Sequence, residues 1–267
     1  MSSGLVSSTL ENLSRALSHA LTSEQIARKP GLMQSLDPRA KVLGIFVLVI
    51  AVAVVHKVAV LLGLFAGALV LALGSAIPLR TLILRVWLVV LAFTGVIALP
   101  ALFLTPGDPL SPSSFVTRQG LHTAILLILR VEAAVTLTTT LVLTTPWAQI
   151  LKALRLLAVP KEAVMMLGMA HRYIFLLTET ATRMFESRES RRVGKLRGRE
   201  KRHMVAQTAG VLMTKSIDLS QEVFLAMQSR GYRGDVFTVA DTRMRPHDYI
   251  VILVFVAFAV LAVWWGR

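Results

Sequence analysis

Two arginines sit where a charged fork could engage an anion. Arg191 lies in Ser190-Arg191-Arg192 and Arg230 in Ser229-Arg230-Gly231. A guanidinium is planar and always charged, so it pairs bidentately with a carboxylate or a phosphate. Met165, Met169, Tyr173, Leu176, Thr180 and Met184 approach the first arginine at steps of 4, 4, 3, 4 and 4. Leu212, Ser216, Leu219, Val223 and Met227 approach the second at steps of 4, 3, 4 and 4. Each set is one stripe of a helix. Arg191 comes seven residues after Met184, and Arg230 seven after Val223. Both therefore continue a stripe to its C-terminal end, where the helix dipole favours a cation. Gly231 follows as a left-handed stop should. Such arginines can enter an acidic groove on a partner, cap their own helices, or hold lipid phosphates.

Arg130 and Glu132 raise a second possibility. They fall inside an apolar run, where ionisable side chains are functional candidates. Two residues apart on one helix they do not face each other, so each needs a partner elsewhere. Other chemistry has no foothold. With no cysteine there is no disulfide, thiolate metal site or cysteine nucleophile. His19, His56, His122, His171, His203 and His247 contain no pair three or four apart, so no metal site is expected from them. Gly194-Lys195 lacks the spacing and hydroxyl of a phosphate-binding loop, so the chain is not expected to bind ATP or any other cofactor. No catalytic residues are expected.

The elements that must position these residues are membrane helices. The chain is 55% hydrophobic with a mean hydropathy of +0.66, above the ordinary soluble range. Five spans are expected, over about 42–55, 58–75, 82–104, 119–143 and 249–265, the first two short against the ~20 residues of an upright crossing. Asp37 and Pro38 suit the start of the first. His56-Lys57 and Pro78 mark breaks, and Pro106, Pro109 and Pro112 mark a non-helical loop. Tyr249, Trp264 and Trp265 suit the two interfaces of the last span.

Of the 29 lysines and arginines, 25 fall on one side of this arrangement and three on the other, with Arg130 inside a span. That bias makes residues 1–41 and the basic region cytoplasmic. It also explains the net charge of +14 without a nucleic acid partner. Residues 1–35 are expected to carry no secretory leader, because no apolar core follows a basic start. They hold a capping box at Ser8 to Glu11 and an amphipathic helix bearing Leu10, Leu13, Leu17 and Leu21. In the basic region, helices are expected over Trp147 to Ala158, Lys161 to Arg192 and about Glu200 to Arg230. Gly194 and Gly198 are expected to be flexible points.

At four places in order the chain resembles a family. Leu36-Asp37-Pro38-Arg39-Ala40-Lys41, Leu154 to Glu162, Ser190-Arg191-Arg192 and Ala226-Met227-Gln228-Ser229-Arg230-Gly231-Tyr232 are similar to motifs of the transmembrane T component of energy-coupling factor transporters. The likeness is greatest to the CbiQ-type permease of cobalt and nickel uptake, and it covers roughly residues 10–235. Arg192 departs from the glycine of the family's first arginine motif.

The resemblance implies an all-α polytopic membrane protein of about five transmembrane helices, with a cytoplasmic helical coupling domain inserted before the last span. Its parts would be a cytoplasmic N-terminal segment (1–35), spans one to four (36–146), the coupling domain (147–247) and span five (248–267), in the inner membrane. It implies a non-catalytic subunit of an ATP-driven importer, joining two ATP-binding cassette ATPase subunits to a substrate-binding membrane subunit. Ser190, Arg191, Arg192, Ser229, Arg230 and Gly231 would dock the ATPases. Met165, Met169, Tyr173, Leu219 and Val223 would contact the substrate subunit. A stand-alone secondary carrier, with Arg130 and Glu132 in its pathway, is the alternative.

Overall fold

Pro38 has no N–H to leave unsatisfied, and the Asp37 carboxylate accepts a hydrogen bond from the Arg39 N–H at 2.9 Å. Helix α1 (Pro38–Val54) begins there. The computed structural model describes residues 31–75, 77, 79–106, 117–157, 159–191, 198–234 and 246–266. The amphipathic helix expected within 1–35, the proline-rich loop, Gly194 and Arg192 lie wholly or largely outside the described residues. Every regular element among the described residues is a helix. They form two units, one drawn from 23–153 with 242–267 and the other from 154–241.

In the first unit, α2 (Val58–Gly74) follows α1 after the break at 55–57. The Leu32 N–H donates to the Gly74 carbonyl at 3.1 Å and the Gln34 side chain to the Ser75 carbonyl at 3.0 Å. The span expected over about 82–104 is helical throughout, though not uniformly α. The chain makes a short α3 (Leu79–Leu82), a π turn (Ile83–Trp87) and then α4 (Leu88–Leu104). A π turn holds one extra residue and so rotates the following face by roughly 100°. Trp87, at the end of that turn, donates its indole N–H to the Thr136 hydroxyl at 3.1 Å and lies 5.4 Å from the Phe65 ring, centroid to centroid.

Helix α5 (Arg118–Thr144) opens with the Thr117 hydroxyl accepting from the Gly120 N–H. That hydroxyl also donates to the Thr105 carbonyl at the end of α4. On its buried side Thr136, Thr140 and Thr144 each donate a hydroxyl to the carbonyl four residues back. Their polar atoms are thus satisfied within the helix itself, as an apolar surrounding requires.

Helix α1 lies against the last helix, which is numbered α9 below (Pro246–Gly266), and the two run parallel. At their starts the Asp37 N–H donates to the Asp248 carboxylate at 3.0 Å. At their ends the His56 N–H donates to the Gly266 carbonyl at 3.0 Å, and Lys57 donates its ammonium to the Trp265 carbonyl at 2.8 Å. Midway, Gly44 lets the Phe255 ring in: a Cβ there would stand 2.1 Å from Phe255 Cδ2. Lys41 is buried near the starts, within the electrostatic reach of Asp37 and Asp248. Among the described residues two helices, α5 and α9, are long and apolar enough to cross a bilayer, and α2 and α4 are apolar over 17 residues each.

Helix α6 (Trp147–Leu156) precedes Pro160 and ends before the expected Ala158. The second unit holds α7 (Lys161–Ser190) and α8 (Gly198–Ser229), which pack on each other. Helix α7 stops two residues before the expected Arg192. Helix α8 takes in Gly198, which the sequence reading made a flexible point.

Candidate functional site

The Arg230 end of α8 is shaped by glycine. Gly231 has φ +80°, where a side chain would be strained. Its N–H donates to the Gln228 carbonyl at 2.9 Å, and the Tyr232 N–H to the Met227 carbonyl at 3.0 Å. This is a Schellman cap. Ser229 turns its hydroxyl back to the Leu225 carbonyl, leaving Arg230 exposed at the tip.

At the Arg191 end of α7, Arg191 itself is the cap residue, with φ −83° and ψ 0°. Ser190 donates its hydroxyl to the Ser187 carbonyl at 3.0 Å. Arg191 is exposed and lines a cavity of about 400 Å³ with Arg183, Met184, Ser187, Arg188 and, from α8, Lys215. Met184 and Arg191 thus share one face, as their spacing requires. The sequence reading did not include Lys215 or the two flanking arginines. Arg183, Ser187 and Arg191 at steps of four were the available signal, but Lys215 comes from another helix.

Met165, Met169, Tyr173, Leu219 and Val223 all line a second, apolar cavity of about 340 Å³ between α7 and α8. Leu177, not Leu176, carries the α7 stripe onward into it; Leu176 is 43% exposed. Thioethers suit such a surface because they repack easily. Tyr232 closes one end by donating its hydroxyl to Met165 Sδ.

Arg130 and Glu132 are not brought together. Arg130 donates to the Val55 carbonyl at 2.8 Å, a cation at the negative end of α1. Glu132 is 7% exposed, and neither carboxylate oxygen has a hydrogen-bond partner. No group of three or more metal-ligating side chains gathers among the described residues.

The model of the CbiQ family, cobalt transport protein, matches residues 32–239. The chain belongs to this family. It is therefore a transport-related membrane subunit. An uncharacterised protein of Methanocaldococcus jannaschii is 29% identical over 274 residues, covering 100% of this chain and 94% of that one. The energy-coupling factor transporter transmembrane protein EcfT of Thermanaerovibrio acidaminovorans is 30% identical, covering 86% and 89%. The cobalt transport protein CbiQ of Rhodobacter capsulatus is 26% identical, covering 61% and 65%. The CbiQ-family match takes in both arginine tips and the apolar cavity, and ends before α9.

Proposed function

We propose that this chain is the coupling subunit of an ATP-driven energy-coupling factor importer. It joins two cytoplasmic ATPases to a substrate-binding membrane subunit, and the cargo is cobalt or nickel. The observation that carries the reading is the pairing of two exposed arginine tips, Arg191 and Arg230, on two long helices that enclose one apolar cavity. Each tip takes one ATPase of a dimer. Closure of that dimer on ATP draws the tips together and deforms the Met-rich cavity, which is the face offered to the substrate subunit. The likeness to EcfT over most of both chains supports the partners.

Five spans, α1, α2, α4, α5 and α9, fit the parallel course of α1 and α9, because three crossings between them return the chain to its starting side. The excess of lysine and arginine then makes that side the cytoplasm. The exposed Phe93, Val96 and Ile97 of α4 face lipid, and the inner membrane is the location. The test is co-purification. An ATPase pair and a small membrane subunit should come with the wild-type chain, and the ATPases should be lost from the Arg191→Ala/Arg230→Ala double variant. Metal uptake by the chain alone, driven by an ion gradient, would overturn the reading in favour of a secondary carrier.

A further inference from the structure

Helices α1 and α9 keep one register along their seam. Asp37 bonds Asp248, a Cβ on Gly44 would strike the Phe255 ring, and a Cβ on Gly266 would stand 2.7 Å from the Val55 methyls. Each of these pairs is 211 residues apart. The seam is therefore tight at Gly44 and tight again at Gly266, about 16 Å of helix rise further on. Between these closures it gapes. Ala51 and Ala259 offer only methyls there and form the buried floor of a groove of about 490 Å³. Ile50 of α1 and Val260 and Trp264 of α9 stand beside it, and all three are exposed.

At the Gly266 end the groove meets a charge. Lys57 donates its ammonium to the carbonyl of Trp265, the residue after Trp264. That bond takes one of its three N–H donors. No carboxylate among the described residues lies within ion-pair distance of it. His56 beside it is exposed as well.

We propose that this groove is a phospholipid site, which takes one acyl chain of an anionic lipid and rests its phosphate on the Lys57 ammonium. Charge complementarity selects the occupant. An apolar slot with a cation at its open end is the negative image of an anionic amphiphile, and the closure at the other end, Gly44 on Phe255, is apolar. The length agrees. About 16 Å is close to one leaflet, half of a hydrocarbon core of about 30 Å. A partner's helix is about 10 Å across. It would ride over the two helices and leave the alanine floor empty, whereas a methylene chain can lie on that floor. Trp264 stands on the wall near the charged end, where an indole suits the boundary between tails and headgroups. The lipid thus covers apolar surface that α1 and α9 leave uncovered between them. The proposal requires α1 and α9 to cross the bilayer side by side.

The experiment uses the full-length chain in dodecyl maltoside, stripped of lipid and titrated with phosphatidylglycerol or phosphatidylcholine, with bound lipids counted by native mass spectrometry. A single phosphatidylglycerol should be retained, several-fold more tightly than phosphatidylcholine. Lys57→Gln should lower that preference about fivefold. Ala259→Leu, which fills the floor, should remove the tight lipid whatever its headgroup. A second arm leaves the floor intact. In vesicles, brominated phosphatidylglycerol should quench tryptophan fluorescence in the wild type, and part of that quenching should be missing from Trp264→Phe. Equal, non-stoichiometric retention of the two lipids, which is annular contact only, would overturn the site. So would a preference that Lys57→Gln leaves intact, or full displacement of the lipid by glycerol phosphate, which would reduce the contact to a headgroup. An Ala259→Leu chain that keeps its lipid but loses a co-purifying membrane protein would overturn it in favour of a partner's helix. Identical quenching of the wild type and Trp264→Phe by brominated lipids of both kinds would overturn the crossing of α9 together with the site.

Discussion

Tyr232 donates its hydroxyl to the Met165 sulfur across 3.2 Å, joining the residue two beyond Arg230 to the first turns of the preceding long helix. The bond links the tip of α8 to the apolar cavity through a single side chain. Removing the hydroxyl keeps the ring and loses only the link. Tyr232→Phe should therefore leave ATPase docking close to wild type and reduce the uptake driven by each ATP hydrolysed. Met165→Leu should do the same, and the two together should do little more than either alone. The coupling energy from this double-mutant cycle should be about 0.5–1 kcal/mol, read from the melting of the purified protein.

Gly231 offers a clean test of how much the tip depends on its backbone. A Cβ at this position would meet nothing within 4 Å, so any penalty arises from φ +80° alone. Gly231→Ala should cost about 1 kcal/mol locally and misdirect Arg230, lowering ATPase affinity. Gly231→Asn, which tolerates this conformation better, should recover part of the loss. Equal affinities for all three proteins would show that the cap does not aim the arginine.

The close approach at Gly44 predicts a suppressor. Gly44→Ala drives a methyl into the Phe255 ring and should destabilise the first unit by about 1–3 kcal/mol. Phe255→Leu in the same chain should restore most of it. The measurement is the thermal midpoint in detergent of the two single variants and the double.

Glu132 should gain by losing its charge. Its oxygens are buried without donors, and burying a carboxylate costs more than burying an amide of the same shape. Glu132→Gln should raise the thermal midpoint by roughly 2–4 °C, the shift about 1 kcal/mol gives in a chain of this size, and should leave metal uptake intact. Loss of uptake in a protein that melts no lower would instead give Glu132 a working role.

The helix ends were the most legible part of the fold. Asp37-Pro38, Thr144-Thr145-Pro146 and Ser229-Arg230-Gly231 carry start and stop chemistry in their own side chains. Within the helices the signal was weaker. Leu176 and Leu177 are adjacent leucines, so spacing alone could not decide which one faces α8. The π turn at Ile83–Trp87 is written in apolar residues that an α-helix would accept equally well. At its end Trp87 makes a hydrogen bond to Thr136, 49 residues away, which local spacing does not announce. Lys41 reads as a lysine at a membrane entrance, yet it is buried because Asp248, more than two hundred residues on, lies near it. In the candidate site both arginines and the five cavity residues could be found from periodicity. Lys215 could not, since its place in the Arg191 groove depends on how α8 lies across α7.

The pairing of α1 with α9 also fixes an order of events in the making of this protein. Synthesis delivers α1 early and α9 only after the whole of the inserted unit. Until then the Asp37 N–H and the Lys41 ammonium lack Asp248, and the carbonyls of Trp265 and Gly266 that receive Lys57 and His56 do not yet exist. The nascent bundle therefore stays open along one side of its first helix while the arginine-bearing helices are being made. Its final closure joins the whole length of α1 to α9, with a buried carboxylate at one end and a pair of backbone carbonyls at the other.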